Sequence, residues 1–327
     1  MNILTNRYKI KHQLKKSKNV FIMGHTSLDL DAIGSCLGFY KMAKAVHKNV
    51  YLIIDDKDNE FGVKKVLKEI KDYYNIITSD KVKDLMDKKN KNNLLAIMDT
   101  NKPYLLQNKE LLKVFTNVLV LDHHEIDENS LACSLRIIDT SSSSTCEMIC
   151  ELIKESHITI SPYLATILLS GIVLDTNNFT LKTKASTYYY AYYLTSLGAS
   201  SREVQYLLKQ DLGEYIKRQK PITNVIMINN HIALTKGEKN TIYRREDLAK
   251  MADTLIMFNE IEASFVIGKL NKTTVGISAR SLGSIEVNKI LNKLNGGGDK
   301  FNAASKISDK TVKEVEEDLK ALLKEEK

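Results

Sequence analysis

Short apolar runs alternate with helical stretches over roughly the first 180 residues of the chain. The four clearest runs have strand length and lie at residues 19–24, 50–54, 94–98 and 118–121. Residues 32–45 and 61–70 lie between them and repeat apolar positions at helical spacing. Such alternation is typical of βαβ units and predicts a parallel sheet that is covered by helices on both faces. We predict a further strand at residues 172–174, at the end of a buried helix.

The pattern changes after residue 187. Residues 188–219 keep helical spacing without a strand signal, which predicts a helical connector. The elements predicted beyond it are a hairpin at 225–235 with an Asn229-Asn230 turn, a helix at 243–258, antiparallel strands at 262–269 and 274–279, a helix at 284–294 and a terminal helix at 308–327. We therefore expect an α/β domain with a parallel sheet at 1–187, a helical connector at 188–221 and a smaller α+β domain at 222–327.

Composition narrows the class of protein. Of the 327 residues, 43% are hydrophobic and 27% are charged, which excludes a mainly disordered chain. The four cysteines form no CxxC pair, so neither a disulfide framework nor a thiolate zinc site is expected. Residues 1–13 lack the apolar core of a secretory signal, and the apolar stretch at 158–174 is too polar for a membrane span. We expect a cytoplasmic chain, with a membrane anchor only where it forms part of a longer protein.

Aspartate and histidine side chains directly follow several of the predicted strands. They are His25, Asp29, Asp31, Asp99, Asp122, His123, His124 and Asp175. Because the carboxyl ends of parallel strands line one crevice, we expect these groups to converge. So many carboxylates cannot all ionise together unless cations neutralise them. Carboxylates and imidazoles without thiolates favour Mn²⁺, with Mg²⁺, Co²⁺ or Zn²⁺ as alternatives, and the size of the set suits two ions.

Several of these residues also have an ordinary structural interpretation, and His123-His124 alone could be a surface pair. Asp31 precedes a predicted helix and would serve as its N-cap. Asp99 and Asp175 would cap local turns together with the threonines that follow them. The joint occurrence of such residues at successive strand ends favours the metal site over these separate interpretations.

The same residues resemble the motifs of the DHH phosphoesterase superfamily. The resemblance rests on Val-Leu-Asp-His-His at 120–124, on the spacing His25-x3-Asp29-x-Asp31 and on Gly-Ile-Val-Leu-Asp-Thr at 171–176. Gly-Gly-Gly-Asp-Lys-Phe-Asn-Ala-Ala at 296–304 is similar to the glycine-rich signature of the DHH-associated domain. The match is closer still to the catalytic part of the GdpP-type cyclic-di-AMP phosphodiesterases, and it covers nearly the whole chain.

The resemblance implies a role for each of these side chains. One metal position would be held by His25 and Asp29, and the other would be held by Asp31, His123 and Asp175. Asp99 would bridge the two ions, and Asp122 would orient His123. His124 would face the scissile phosphate as an electrostatic stabiliser or general acid, which makes His124 and Asp99 the expected catalytic residues.

A second set of residues is expected to contact the substrate. They are Ser143, Ser144, Thr145, Arg280, Gly296, Gly297, Gly298 and Asp299. The glycines let backbone N–H groups approach a phosphate, although three glycines also end a helix. Arg280 suits a bidentate phosphate contact or a surface ion pair, and residues 143–145 suit a phosphate contact or a helix N-cap. Asp299 stands where the resembled family usually has His, and Lys306 where it often has Gln, which bears on substrate affinity.

The resemblance implies a metal-dependent phosphodiesterase that opens cyclic di-AMP to pApA, and on to AMP in a further step, with a water activated by two divalent ions. The alternatives are a hydrolase of short oligonucleotides such as pApA or nanoRNA, a RecJ-like exonuclease, and a dinucleotide-binding sensor without activity. The expected partner is a cyclic or short linear dinucleotide. Neither a long nucleic acid nor a membrane is expected, and a homodimer is compatible with the apolar positions of the second domain.

Overall fold

A six-stranded parallel sheet forms the centre of the first part of the chain. Its strand order is β3-β2-β1-β4-β5-β6. The strands are β1 (Asn19–Met23), β2 (Asn49–Ile53), β3 (Ile76–Ile77), β4 (Asn93–Met98), β5 (Val118–Asp122) and β6 (Leu135–Ile138). The structure is a computed structural model that describes residues 3–55 and 59–324. It confirms the α/β class that the apolar runs predicted.

Apolar side chains cover both faces of this sheet. Val20 and Ile22 of β1 belong to the larger core, whereas Phe21 and Met23 belong to a second core on the opposite face. The helices of this part are α1 (Ile3–Lys16), α2 (Leu30–Ala45), α3 (Phe61–Ile70), α4 (Val82–Leu85), α5 (Thr145–Glu155), α6 (Pro162–Asp175), α7 (Ala185–Ser196) and α8 (Ser201–Leu207). Because successive side chains of a strand point to opposite faces, a strand buried on both sides is apolar on both, as β1 is from Val20 to Met23.

The strand predicted at residues 172–174 is wrong. These residues form the last turn of α6, which starts at Pro162 with Ser161 as its N-cap. Every residue from Leu164 to Val173 is buried, so this part of the helix shows no polar face that would reveal its period. A short apolar run of this kind cannot be separated from a strand by periodicity alone.

A second six-stranded sheet, of mixed direction, forms the centre of the remaining chain. Its order is β11-β12-β10-β9-β8-β7, and β8 pairs with β9 in parallel while the other pairs are antiparallel. The elements are β7 (Ile226–Ile228), β8 (Ile232–Lys236), β9 (Ala263–Lys269), β10 (Thr274–Ser281), β11 (Gly296–Gly298) and β12 (Asn302–Ser308), with α9 (Leu212–Ile222), α10 (Arg245–Leu255), α11 (Val287–Asn292) and α12 (Val312–Lys324). The predicted hairpin is confirmed, since Asn229 and Asn230 turn with φ values of 51° and 64°.

The chain divides into two units, Met1–Lys209 and Gln210–Lys327. The stretch predicted as one helical connector, 188–221, consists of most of α7, all of α8 and nearly all of α9. The first two helices lie in the first unit and α9 lies in the second.

The glycines predicted to end a helix form the short edge strand β11 instead. The last residues of the predicted terminal helix, 325–327, lie outside the described residues.

Among the described residues, no helix combines the length and the apolar character that crossing a membrane requires.

Candidate metal centre

The carboxyl ends of β1, β4 and β5 bring the predicted metal ligands together. Three overlapping groups have candidate ligand atoms within 4.8 Å of one another. The groups are His25, Asp29 and Asp99; Asp31, His123 and Asp175; and Asp99, His123 and His124. All six residues that the sequence suggested as metal ligands therefore lie in one cluster.

Asp175 reaches this cluster from a helix rather than from a strand, because it is the last residue of α6. Helix α6 packs closely on the start of α2, and Gly171 makes this approach feasible. A Cβ atom at position 171 would lie only 2.9 Å from the Cα of Asp31. The close packing of the two helices thus places Asp175 beside the ligands that follow β1.

Two aspartates at the start of α2 have different local partners. Asp29 is the N-cap of α2, and its Oδ1 accepts a hydrogen bond of 2.9 Å from the backbone N–H of Ala32. The N-cap role that the sequence allowed for Asp31 thus belongs to Asp29. Asp31 is buried and accepts hydrogen bonds of 2.7 Å from the backbone N–H groups of Thr145 and Cys146, one to each oxygen. Neither backbone donor was anticipated from the sequence, because both come from the distant N-terminus of α5.

Asp99 occupies the centre of the cluster. Its Oδ1 lies 3.6 Å from Nε2 of His123, and its Oδ2 lies 3.5 Å from Nε2 of His25. The hydroxyl of Thr145 donates a hydrogen bond of 2.8 Å to Oδ1. Each carboxylate oxygen therefore faces a different imidazole, which is the arrangement that a bridging ligand requires.

The ring of His25 is oriented for metal binding. Its Nδ1 lies 2.7 Å from the carbonyl oxygen of Thr26, which can only accept a hydrogen bond. Nδ1 therefore carries the proton of the neutral ring, and Nε2 presents a lone pair towards Asp29 and Asp99. Beside two carboxylates, Nε2 either carries a second proton or gives its lone pair to a cation that takes the place of that proton.

His123 supplies a second indication of a metal. Its ring is buried, and neither ring nitrogen has a partner in hydrogen-bond geometry. Nε2 nevertheless lies 3.0 Å from Oδ2 of Asp175. Buried polar atoms are rarely left unsatisfied, and a metal ion among these side chains would satisfy Nε2. The residues present fit the divalent ions that the ligand set predicts.

Burial and the clustered charges shift the pKa values of Asp31 and His25 strongly. Burial raises the pKa of Asp31, and the neighbouring carboxylates of Asp99 and Asp175 raise it further. Burial alone would lower the pKa of His25, but Asp29 and Asp99 raise it to about 12. The cluster thus retains protons unless cations neutralise its negative charge, and divalent ions do this most effectively.

The prediction that Asp122 orients His123 is wrong, because the partner of Asp122 is His124. Oδ1 of Asp122 lies 2.7 Å from Nδ1 of His124 and 3.2 Å from its backbone nitrogen. The rings of His123 and His124 lie next to each other, with 4.3 Å between their centroids, but of the two it is the ring of His124 that hydrogen-bonds to Asp122. Asn101, which the sequence analysis did not single out, donates a hydrogen bond of 2.7 Å to the other oxygen of Asp122.

His124 is the most accessible member of the cluster. Its side chain is 54% exposed, whereas that of His123 is 3% exposed. Partial burial would lower the pKa of His124, but Asp122 and Asp99 raise it to about 9. His124 can therefore hold a proton at a position that a ligand can reach.

Residues 143–145 are buried and make contacts within the protein. Ser144 caps α5, which confirms the N-cap interpretation, and the hydroxyl of Ser143 donates to Glu147. Thr145 donates to Asp99 as described above. The hydroxyls of Ser143 and Thr145 are thus directed at protein carboxylates rather than at an open surface.

A separate cavity lies in the second unit and contains most of the predicted substrate contacts there. Its volume is about 620 Å³. Its lining includes Arg280 of β10, the glycines Gly296, Gly297 and Gly298, Arg245 of α10 and Lys306 of β12. Arg280 also forms an ion pair with Asp253, with 2.5 Å between Nε and Oδ1. Arg245 was not singled out from the sequence, because nothing in the motif pattern distinguishes it from the neighbouring Arg244.

Asp299 follows the glycines but stabilises a turn. Its Oδ1 accepts hydrogen bonds of 2.7 Å and 2.8 Å from the backbone N–H groups of Phe301 and Asn302. This is the pattern of an Asx turn, which connects β11 to β12. At least one oxygen of the carboxylate is thus directed at the backbone.

The chain is similar in sequence to known protein families and to curated proteins. The sequence model for the DHH family, N-terminal domain, matches residues 19–172, and that for the DHHA1 domain matches residues 230–326. The chain is 36% identical over 314 residues to the cyclic-di-AMP phosphodiesterase PdeA of Listeria monocytogenes, covering 95% of this chain and 48% of that protein. It is 36% identical over 329 residues to the cyclic-di-AMP phosphodiesterase GdpP of Bacillus subtilis, covering 97% and 50%. The chain thus spans about half the length of these curated relatives.

A solved structure has a similar fold over the full length. It is an exopolyphosphatase-related protein from Bacteroides fragilis, with a TM-score of 0.77, 21% identity and 98% of each chain covered. At this identity the similarity concerns the fold alone.

Proposed function

This chain carries a DHH family N-terminal domain followed by a DHHA1 domain, and we propose that it is a phosphodiesterase that hydrolyses cyclic di-AMP to linear pApA. The two relatives named as cyclic-di-AMP phosphodiesterases support this substrate, since their similarity extends over nearly the whole chain. The matched regions include the His/Asp cluster apart from Asp175, which lies three residues beyond the first match, and the cavity of the second unit.

The first step of the proposal concerns the metal ions. One divalent ion would be held by His25 and Asp29 and the other by Asp31, His123 and Asp175, with Asp99 shared between them. Mn²⁺ suits this set of carboxylates and imidazoles, with Mg²⁺ or Co²⁺ as alternatives. Two such ions supply an activated water and neutralise charge on the phosphoryl group.

The second step concerns His124. Its ring lies on the accessible side of the cluster and is held by the buried carboxylate of Asp122. A protonated imidazole in this position stabilises negative charge that develops on the phosphate and can donate a proton to the leaving oxygen. Asp122 keeps the ring oriented and favours its protonated form.

The third step concerns the nucleotide. The cavity of the second unit offers the guanidinium groups of Arg245 and Arg280, the Lys306 side chain and a backbone without side chains at residues 296–298. Guanidinium groups bind phosphate in a bidentate manner, and glycines let a ligand approach the backbone closely. Its volume of about 620 Å³ falls within the usual range for small-molecule pockets. We assign it to one nucleotide of the substrate.

The observation that carries this proposal is the position of Asp99, whose two oxygens face His25 and His123. The direct test is hydrolysis of cyclic di-AMP, pApA, pyrophosphate and a longer RNA in parallel by chain reloaded with Mn²⁺ after chelation. We expect cyclic di-AMP to be consumed with pApA as the first product. Asp99→Ala, prepared identically, controls for a contaminating hydrolase.

The other outcomes point to the alternative functions. Hydrolysis of pApA but not cyclic di-AMP would indicate a short-oligonucleotide hydrolase. Degradation of the longer RNA would indicate a RecJ-like exonuclease, and binding of cyclic di-AMP without turnover would indicate a sensor. Each of these results would contradict the proposed function.

A further inference from the structure

Thr145 contacts carboxylates from both candidate metal positions. Its backbone N–H donates a hydrogen bond of 2.7 Å to Oδ2 of Asp31, and its hydroxyl donates one of 2.8 Å to Oδ1 of Asp99. Asp31 belongs to the group with His123 and Asp175, whereas Asp99 also belongs to the group with His25. Thr145 is thus hydrogen-bonded to Asp31, a candidate ligand of one metal position, and to Asp99, the carboxylate shared between both metal positions.

The bond to Asp31 is part of a two-point contact. The backbone N–H of Cys146 donates a hydrogen bond of 2.7 Å to Oδ1 of Asp31, so that each oxygen is held by a separate donor. The start of a helix carries partial positive charge, which suits a buried carboxylate. These contacts fix the plane of the Asp31 carboxylate without using the hydroxyl of Thr145.

The bond to Asp99 acts on a residue with a strained backbone. Asp99 has a φ of 61°, in the left-handed region that residues other than glycine rarely occupy. Such conformations persist where several contacts hold them. The backbone N–H of Asp99 bonds to the carbonyl of Leu121, and the Thr145 hydroxyl holds the carboxylate. The hydroxyl therefore helps to set which oxygen of Asp99 faces which imidazole.

The turn that carries Thr145 is itself held firmly. Glu147 is buried, and one of its oxygens accepts hydrogen bonds from the hydroxyls of Ser143 and Thr187. Ser144 caps the helix through a bond of 3.0 Å from the backbone N–H of Glu147. The Thr145 hydroxyl consequently has a defined position from which to direct Asp99.

We propose that Thr145 is a positioning residue that sets the spacing of the two metal positions, by holding Asp31 through its backbone and Asp99 through its hydroxyl. The inference rests on the metal centre of the proposed function, but it does not depend on the identity of the substrate. It assigns Thr145 to the support of the metal ligands rather than to the substrate contact that its sequence context first suggested.

The test compares Thr145→Val with Thr145→Ser. Valine keeps the shape of the side chain and removes the hydroxyl, whereas serine keeps the hydroxyl. Thr166→Val is the matched control, because Thr166 is buried on α6 and, among the described residues, its hydroxyl hydrogen-bonds to the backbone of Pro162 and Ser200 and not to a carboxylate. The readouts are calorimetric titration of the metal-free full chain with Mn²⁺ and the electron paramagnetic resonance spectrum of the loaded chain, in which two bridged Mn²⁺ ions are spin-coupled.

Thr145→Val should bind Mn²⁺ about 10- to 100-fold more weakly at one position and should lose most of the spin-coupled signal. Thr145→Ser and Thr166→Val should keep both properties of the unmodified chain. Unchanged Mn²⁺ affinity and coupling in Thr145→Val would overturn the proposal. If that variant does not fold, Thr145→Ala compared with Thr145→Ser isolates the hydroxyl in the same way, and equal Mn²⁺ binding by the two would overturn it.

The test of Thr145 and the test of the proposed function can fail independently of each other. Failure of the unmodified, Mn²⁺-loaded chain to hydrolyse any phosphodiester would refute the activity but would leave the Mn²⁺ titrations unaffected. Equal Mn²⁺ binding by all variants would refute the role of Thr145 even if cyclic di-AMP were hydrolysed.

Discussion

Nδ1 of His124 lies 2.7 Å from Oδ1 of Asp122, a carboxylate that is completely buried. The contact fixes one edge of the imidazole and leaves Nε2 on the opposite edge of a ring whose side chain is 54% exposed. An imidazole held in this way by a carboxylate favours the protonated form at neutral pH. We propose that the pair acts as a proton donor and its support, although His124 also lies in one of the candidate metal groups.

Replacing His124 should separate binding of the ions from the chemical step. His124→Ala should retain two Mn²⁺ ions per chain and lose on the order of 10²–10⁴ in kcat, because the lost group acts on the transition state. Metal content by mass spectrometry and kcat with cyclic di-AMP are the measurements. His12→Ala, at an exposed position on α1, is the control and should match the unmodified chain. Loss of one metal equivalent in His124→Ala would make His124 a metal ligand.

The two carboxylates that face His25 should differ in their effect on metal content. Asp99→Asn should lower the affinity for both ions, because Asp99 faces an imidazole from each group. Asp29→Asn should weaken one ion only, and asparagine can still cap α2 in place of Asp29. Mass spectrometry of the two variants after dialysis against limiting Mn²⁺ distinguishes these outcomes. Equal metal content in both variants would contradict a bridging role for Asp99.

The sequence predicted the centre of the first unit well, for a physical reason. Strands such as β1 and β4 are buried on both faces, so their apolar runs stand out from the amphipathic helices around them. The ligands at their carboxyl ends could then be placed together by topology alone. Strand β6 was missed, because three of its four residues are only partly buried and its run is short.

Contacts between distant segments could not be predicted in this way. The Thr145 hydroxyl reaches Asp99 across 46 positions of the chain, and the packing of α5 against α2 brings them together. Asp175 was expected after a strand, since a helix that is buried on all sides has no visible period. The pairing of Asp122 with His124 could not be predicted from strand alternation either, because β5 ends at Asp122, the chain bends at His124 and the two imidazole rings lie next to each other.

Removing the charge of Asp299 should improve binding of an anionic substrate. Asp299→Asn keeps an oxygen that can accept the bonds from Phe301 and Asn302, while it removes a negative charge next to the glycines. Because two unit charges at 4 Å in water interact by about 1 kcal/mol, KM for cyclic di-AMP should fall by roughly two- to five-fold with kcat unchanged. Steady-state kinetics measure this. A higher KM in Asp299→Asn would show that the carboxylate contributes to binding.

Asp247 should be important for the stability of the second unit. It is buried, it accepts hydrogen bonds from Arg244, and it pairs with the buried guanidinium of Arg218. Breaking a buried ion pair leaves one charge without its partner, so Asp247→Asn should lower the free energy of unfolding by about 3 kcal/mol at neutral pH. Urea unfolding of the full chain measures the change, with Asp318→Asn, at a partly exposed ion pair on α12, as the control.

The pH dependence of the Asp247 effect has a defined sign. Burial would raise the pKa of Asp247, but the hydrogen bonds from Arg244 outweigh it and lower the pKa. A lowered pKa contributes stability above the ordinary pKa of an aspartate, and that contribution is lost as the pH falls through the folded-state value. The difference between the unmodified chain and Asp247→Asn should therefore shrink in acid. A difference that grows in acid would contradict this assignment.

A titration of the metal-free chain with Mn²⁺, followed by bound metal and by hydrolysis of cyclic di-AMP in the same samples, tests the two-ion phosphodiesterase most directly. The geometry around Asp99, with an imidazole opposite each oxygen, predicts that turnover rises with the second equivalent of bound Mn²⁺ and is absent without metal. Full turnover by the metal-free chain, or a maximal rate with one bound ion per chain, would contradict it.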